Sequence, residues 1–309
     1  MKNKLIIILG PTSSGKTGLS IKLALWLSSE QAKKKFGING IEIVSADSRQ
    51  VYKGMDIGTG KVTKKEMAGI PHYLLDVTNP KNIFSVVQYQ KLAIKAIKNI
   101  QKKNKIPFLV GGTGFYIQSV ADGIVIPEVK PDWKLRKKLE KLTTEQLFKK
   151  LKKIDTKRAK SIDRHNPRRL IRALEIVLKT KKPVPSLSQN KPKFETLFLG
   201  IKKDEKELKG LIEKRLLKRL KTGMIDEVKK LHKSGVSWKR LEEFGLEYRF
   251  VAQYLQGKLK YDEMVSRLQK KIEHYAKRQM TWFKKDNRII WLNDCKTAQK
   301  LVNSFLIGK

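Results

Sequence analysis

The chain has 309 residues, enough for one large domain or two ordinary ones, and enough to bury a core without covalent staples. Its single cysteine, Cys295, leaves no disulfide partner and no second thiolate for a zinc site, which points to a reducing compartment. With 69 basic against 29 acidic side chains, a formal +40, polyanions are the natural partners and nucleic acid the first of them, even after allowing for a lysine-rich genome.

The N-terminal "MKNKLIIILG" has a basic start, but its apolar run, Leu5 to Leu9, is too short for a signal peptide or a membrane span. No other run reaches spanning length, so a soluble, cytoplasmic protein without a membrane association is expected. Lys4–Leu9 reads as a strand, followed by a glycine loop and a helix from Lys16. Glu42–Ala46 and Tyr73–Val77 read as further strands, and Ser85 as the cap of a helix running to Lys102. Ile106–Val110 is the next strand, with "GGTGFY" after it. This alternation is the mark of an α/β fold, a parallel sheet flanked by helices.

From 127 to 192 the pattern turns helical and strongly basic. "TTEQ" at 143–146 fits a capping box, and Asn166-Pro167 fits an N-cap with proline in the first helical turn. "KKPVPSLSQNKPK" at 181–193 reads as a linker. Strand character returns over Phe194–Ile201, helices follow, and Arg288–Leu292 adds a late strand. The expected organisation is a core of 1–126 and 193–309 interrupted by a small helical insertion, 127–192.

Gly10-Pro11-Thr12-Ser13-Ser14-Gly15-Lys16-Thr17 matches G-x-x-x-x-G-K-[ST] at every position, between a strand and a helix. Its glycines let backbone N–H groups turn inward to hold phosphate oxygens; Lys16 adds a point charge and the Thr17 hydroxyl can ligate Mg²⁺. The fold expected is therefore P-loop NTPase-like. The loop does not say which phosphorylated molecule binds.

Asp47 ends the second strand at the head of "SADSRQVYKGMDIGTGK". Three readings are open: a magnesium-holding carboxylate, a general base, or a loop cap. The residues after it favour something richer than a metal ligand. Ser48, Arg49, Gln50 and Tyr52 supply donors and a ring, and Gly54, Gly58 and Gly60 permit close backbone approach.

Read in order, "GPTSSGKT", "SADSRQVYKGMDIGTGK", "PHYLLD", "GGTGFY", "NPRRLIRALE", "GLEYR" and "YAKRQMTWF" resemble the bacterial tRNA dimethylallyltransferases, across Gly10 to Phe283. The resemblance implies transfer of a dimethylallyl group from dimethylallyl diphosphate to N6 of adenine 37, beside the tRNA anticodon, with Mg²⁺ as cofactor and a monomer as the working unit. It implies that residues 10–17 hold the prenyl diphosphate, that Asp47 takes the proton from the amine, and that Thr113 and Arg249 serve the reaction. A carboxylate base suits a poor exocyclic amine nucleophile, and cations and donors suit a diphosphate leaving group. For Thr113 the plain alternative is a turn hydroxyl capping the next helix.

The target adenine must be unstacked to reach a deep site. The resemblance implies tRNA contacts at Asp47, Ser48, Arg49 and Gln50, at Arg136, at Arg168, Arg169 and Arg172, and at Lys277, Arg278, Gln279, Trp282 and Lys284. For the "RRLIR" arginines the plain alternative is a solvated basic face. On the last helix, Val265, Leu268, Ile272, Tyr275, Gln279 and Trp282 share a face expected to be core, while Lys270, Lys277 and Lys284 form a separate row suited to phosphates.

Two positions depart from the family's usual pattern. Glu247 stands where glycine is common before the Tyr-Arg pair, and Gly60 stands where alanine is more usual. Other readings remain: an adenylate isopentenyltransferase acting on free AMP, ADP or ATP, a P-loop small-molecule kinase, or a non-catalytic nucleic-acid-binding module. The kinase leaves the basic insertion without a purpose, and the binding module leaves Lys16, Asp47 and Thr113 unexplained.

Overall fold

The computed structural model describes residues 3–127, 129–185, 192–292 and 294–308. Its strands are β1 (Lys4–Leu9), β2 (Ile41–Ser45), β3 (His72–Tyr73), β4 (Ile106–Gly111), β5 (Glu195–Ile201) and β6 (Ile289–Leu292). Helices α1 (Lys16–Leu27), α2 (Glu30–Phe36), α3 (Lys64–Met67), α4 (Val86–Lys102) and α5 (Gly114–Ala121) lie among the first four strands or follow them. Next come α6 (Trp133–Leu139), α7 (Thr144–Ile154), α8 (Thr156–Ser161) and α9 (Pro167–Thr180). After β5 the chain forms α10 (Glu205–Lys221), α11 (Met224–Lys233), α12 (Trp238–Phe244), α13 (Leu246–Leu255), α14 (Tyr261–Phe283) and, past β6, α15 (Cys295–Ile307).

Every strand pairing is parallel, in the order β3-β2-β4-β1-β5-β6. Parallel strands buried on both faces need apolar side chains at every position, which explains the unbroken "LIIIL" of β1. Ile6 and Ile8 enter the core that α1, α2 and α15 cover, whereas Leu5, Ile7 and Leu9 enter the one covered by α4 and α5. A third core, around Met55, Leu216, Met224 and Leu268, is formed by α10–α14 with the chain after β2.

Strands β2, β4 and β1 are consecutive neighbours. The loops leaving their carboxyl ends therefore emerge side by side: 46–50 after β2, 112–113 after β4 and 10–15 after β1. The third strand is shorter than the expected Tyr73–Val77. Leu74 and Asp76 take left-handed φ values of 64° and 56°, and the pairing ends at Tyr73. Lys61 holds Asp76 in that bend at 2.5 Å.

By its internal contacts the chain divides into two compact units, Met1–Asp122 with Pro192–Lys309, and Gly123–Lys191. The second unit packs α6–α9 around Leu147, Leu151, Leu170 and Leu174. Ser85 caps α4 as expected, in a capping box with Gln88; the Thr143/Gln146 capping box forms as expected, and Asn166 caps α9 with Pro167 behind it. Of the expected linker, 186–191 lies outside the described residues.

Candidate active site

The phosphate loop turns on two glycines. Gly10 has φ 151°, and a Cβ there would lie 2.5 Å from the Ile201 carbonyl oxygen of the neighbouring strand. Gly15 caps α1 at φ 92°, which delivers the helix N-terminus to the loop. Lys16 Nζ donates to the Pro11 carbonyl at 2.6 Å. Burial, then the charge of Arg215, lowers the Lys16 ammonium to about 7, against a raising influence from Asp47. Ser14 Oγ is buried and has no partner among the described residues. An orphaned hydroxyl of this kind costs about 1–3 kcal/mol, and a phosphate oxygen in the loop would satisfy it.

Asp47 is placed by its own backbone. Its Oδ1 accepts from the Arg49 and Gln50 N–H groups at 2.8 and 3.3 Å, an Asx-type turn that fixes the carboxylate just past β2. The loop cap and the chemical role are thus compatible, because Oδ1 serves the turn while Oδ2 remains available. Thr113 clasps the same loop from β4: its N–H donates to the Ala46 carbonyl at 3.1 Å and its Oγ1 accepts from the Ser48 N–H at 3.1 Å. It occupies the N-cap of α5 without a side-chain capping bond. Its hydroxyl is directed to the Asp47 loop, with its own proton still free to donate.

The glycines of "GGTG" are explained by what they face. A Cβ would meet the Ala46 carbonyl oxygen at 2.2 Å from Gly111, Gln279 Nε2 at 2.4 Å from Gly112 and the Trp282 indole at 2.4 Å from Gly114. Gln279 also sews the loops together: its Oε1 accepts from the Thr12 N–H and its Nε2 donates to the Gly112 carbonyl, both at 2.8 Å. Gln279→Leu strands both backbone groups, so about 2–3 kcal/mol of stability should be lost, together with diphosphate affinity. Thermal unfolding and diphosphate calorimetry on the same sample check this.

A cavity of about 420 Å³ opens beside these loops, lined by Thr12, Asp47, Ser48, Arg49, Arg249 and Arg278 among the expected residues. It is lined as well by residues not anticipated, chiefly Arg219, Phe244, Glu247, Tyr248 and Tyr275. Burial and the nearby Asp47 charge push the Tyr275 phenol up to about 12, which keeps it a donor at neutral pH. Arg249 Nε donates to the Glu242 carbonyl at 3.0 Å and Arg49 Nε to the Phe244 carbonyl at 2.9 Å, so both guanidinium groups are anchored at one edge.

Several of the expected tRNA-contact residues make contacts within the protein. Gln279 is 8% exposed with both amide ends engaged in the protein, where it braces the loops. The Gln50 amide is likewise engaged, accepting from Ser45 Oγ at 3.2 Å and donating to the Gly60 carbonyl at 3.3 Å. Trp282 leaves the expected core face of α14: it is 42% exposed and edge-on to Phe115, while Met264, Ala276 and Phe283 take the buried positions. Lys277, Arg278 and Lys284 are exposed.

In the helical unit, Arg168 and Arg169 are exposed, whereas Arg136 and Arg172 converge on Glu175. Arg215 and Arg219 were hidden in the lysine-rich "EKELKGLIEKRLLKRLK", which reads as a solvated helix. The available signal was two arginines at i and i+4 among lysines, because a planar, weakly hydrated guanidinium tolerates burial better than an ammonium.

A phosphate loop at the end of β1, a carboxylate at the end of β2 and a threonine at the end of β4 stand side by side, with Thr12 and Asp47 opening on a cation-rich cavity and Thr113 bonded to the Asp47 loop, and they define a P-loop-fold enzyme for group transfer from a phosphorylated donor. A family model described as IPP transferase matches residues 50–286, and the chain belongs to that family. The tRNA dimethylallyltransferase of Acetivibrio thermocellus is 40% identical over 94% of this chain and 92% of the relative. That of Carboxydothermus hydrogenoformans is 40% identical over 99% and 97%. Among solved structures, a tRNA isopentenylpyrophosphate transferase from Bacillus halodurans matches with a TM-score of 0.70 and 34% identity, over 99% of this chain and 96% of that one. A eukaryotic dimethylallyltransferase, described as acting on tRNA, matches with a TM-score of 0.80 and 26% identity over 100% of this chain and 80% of its own.

Proposed function

We propose that this protein is a tRNA dimethylallyltransferase, transferring the dimethylallyl group of dimethylallyl diphosphate to N6 of adenine 37 beside the anticodon. The observation that carries the reading is the meeting of Lys16, Asp47 and Thr113 at three adjacent strand ends, within a family whose relatives bear that name. The new bond joins N6 to the allylic C1. The C1–O bond to diphosphate breaks with its electron pair, and the proton of N6 passes to Asp47 Oδ2. The Thr113 hydroxyl, Lys16 and the loop amides receive the charge that develops on the diphosphate.

Magnesium fits these residues. Thr17 is exposed in the first turn of α1, and no three His, Cys, Asp or Glu side chains gather into a metal cage among the described residues. Such a site suits a cation held by one hydroxyl, phosphate oxygens and water. When bound, Mg²⁺ supplies charge neutralisation to the leaving diphosphate.

The helical unit and the α14 cations are read as the tRNA surface, and the protein as a cytoplasmic monomer. Arg168 and Arg169, exposed and without a carboxylate within salt-bridge distance among the described residues, suit phosphate contacts better than Arg136 and Arg172, which hold Glu175. Arg168→Ala or Arg169→Ala should weaken tRNA binding and flatten its log–log salt slope by about 1, with folding unchanged. Binding titrations across a salt series check this.

The deciding experiment incubates the protein with dimethylallyl diphosphate, Mg²⁺ and either unmodified tRNA carrying adenines at 36–38 or free AMP. Mass spectrometry should find prenylated adenine 37 in the tRNA arm alone. Product from AMP would favour the adenylate enzyme, phosphoryl transfer from ATP a kinase, and binding without turnover a passive module.

A further inference from the structure

Glu227, the fourth residue of α11, gathers four donors onto one carboxylate. Its Oε2 accepts from the Asp56 and Ile57 N–H groups at 2.8 and 2.6 Å. Its Oε1 accepts from the Gly58 N–H at 3.0 Å and the Tyr248 hydroxyl at 2.7 Å. In a chain with a formal charge of +40, this half-buried carboxylate has no cation within salt-bridge distance among the described residues. Three consecutive backbone N–H groups converging on one anion make a nest, and these bonds with the phenol offset the cost of its desolvation.

The bonds continue from this nest to the reaction site. Gly58 lies so close to Tyr248 that a Cβ on it would stand 2.7 Å from the ring. Gly58, Thr59 and Tyr248 line the same cavity as Thr12 and Asp47. The turn closes with the Gly60 N–H on the Ile57 carbonyl at 3.0 Å, and the Gly60 carbonyl accepts from Gln50 Nε2 at 3.3 Å. The Gln50 N–H donates in turn to Asp47 Oδ1 at 3.3 Å. On the other side, Tyr248 precedes Arg249, which also lines the cavity.

We infer that Glu227 is a positioning residue for the transfer step, locking the 56–60 turn to the start of α13 so that the cavity wall and the Asp47 loop keep one geometry. This rests on the prenyl-transfer reading of the cavity. Glu227 itself does not line that cavity. With Asp56 and Ile57 it lines a second one, of about 800 Å³, while Gly58 and Thr59 line the first. The turn is therefore a wall between two cavities. Backbone with open space on both faces has little packing to hold it, so its hydrogen bonds set its position.

The test is single-turnover transfer from dimethylallyl diphosphate to unmodified tRNA, read at saturating full-length protein, where the rate constant does not depend on the fraction folded. A carboxamide accepts on one side only, so Glu227→Gln strands two of the four donors and turns its own N–H groups toward them. Its rate constant should fall about tenfold or more, since a misplacement of about 1 Å costs up to about 10²-fold, with tRNA affinity within about twofold of the parent. Tyr248→Phe keeps the ring against Gly58 and removes one bond, so its rate constant should fall about threefold. In Glu227→Ala, formate entering through the second cavity should restore the rate constant severalfold, and chloride at the same concentration should not. A merely structural Glu227 would lower the melting temperature and leave the saturating rate constant at the parent's value. That result overturns the inference, as does chloride matching formate. Should the variants at 227 not fold, Tyr248→Phe decides alone, and an unchanged rate constant overturns the inference. A parent protein that prenylates no tRNA overturns the prenyl-transfer reading itself, which separates the two failures.

Discussion

Asp47→Asn is expected to lower turnover by about 10³-fold while tRNA and diphosphate affinities stay within about twofold. The substitution is the most discriminating one because the proposed mechanism gives Asp47 two jobs on separate oxygens. Oδ1 holds the turn by accepting from the Arg49 and Gln50 N–H groups, and an asparagine carbonyl oxygen accepts the same bonds. What asparagine lacks is a site for the proton of the adenine amine. Asp47→Ala removes both, so the loss of turnover should be accompanied by a looser 47–50 loop and weaker tRNA binding. Single-turnover rates with enzyme in excess isolate the chemical step. If Asn restores the fold and the rate together, Asp47 is a loop cap and the base lies elsewhere.

Thr113 supports the same assignment from the other strand. Its hydroxyl receives the Ser48 N–H, so Asp47 and Thr113 move as one constellation and not as two independent loops. Thr113→Val should therefore slow transfer and loosen the Asp47 loop at once. Thr113→Ser, which keeps the hydroxyl, should preserve most of the rate. Rates of both variants, measured beside Asp47→Asn, separate hydroxyl chemistry from loop packing.

The sequence carried the phosphate loop, the succession of strands and helices in the first third and the helix caps, because each depends on a local pattern: a glycine spacing, an apolar run, or a capping side chain three residues from its partner. What it did not carry is what depends on distant partners. Nothing near Gln279 says that its amide will bridge Thr12 and Gly112, 267 and 167 residues away. Nothing near Tyr73 says that two left-handed residues will stop the strand at once. On α14 the period was read correctly, but its phase at the end was not. Phe283 takes the core position and leaves Trp282 against Gly114, a contact that itself explains why position 114 has no side chain. The Arg215 and Arg219 pair lay in a helix whose composition is mostly solvated lysine, and only the fold shows which two cations turn inward.

The second large effect concerns stability. Glu175, 0% exposed, receives Arg136 through Nε and Nη2 at 2.8 and 2.7 Å, Arg172 Nη1 at 2.5 Å and the Asp132 N–H at 2.7 Å. Burial alone would raise this carboxyl, but the bonds from Arg136, the Asp132 N–H and Arg172 outweigh it and bring it down to about 2, from 4.5. Because the folded value lies below the unfolded one, the stabilisation is complete above about pH 4.5 and is lost as pH falls toward 2. Glu175→Ala leaves two guanidinium groups and an amide without their acceptor inside the helical unit. The expected cost is about 3–5 kcal/mol at pH 7 and about 2 kcal/mol less at pH 3, where the folded carboxyl is still mostly ionised. Hydrogen exchange of the full chain should localise the loss to amides of α6 and α9, leaving those of β1, β2 and β4 protected. A uniform loss across both units, or none, would contradict the account. The same arithmetic bears on function. Arg136 and Arg172 spend their charge holding Glu175, so tRNA phosphates should draw mainly on Arg168 and Arg169. Arg136→Ala should then resemble Glu175→Ala in unfolding more than it resembles Arg168→Ala in binding.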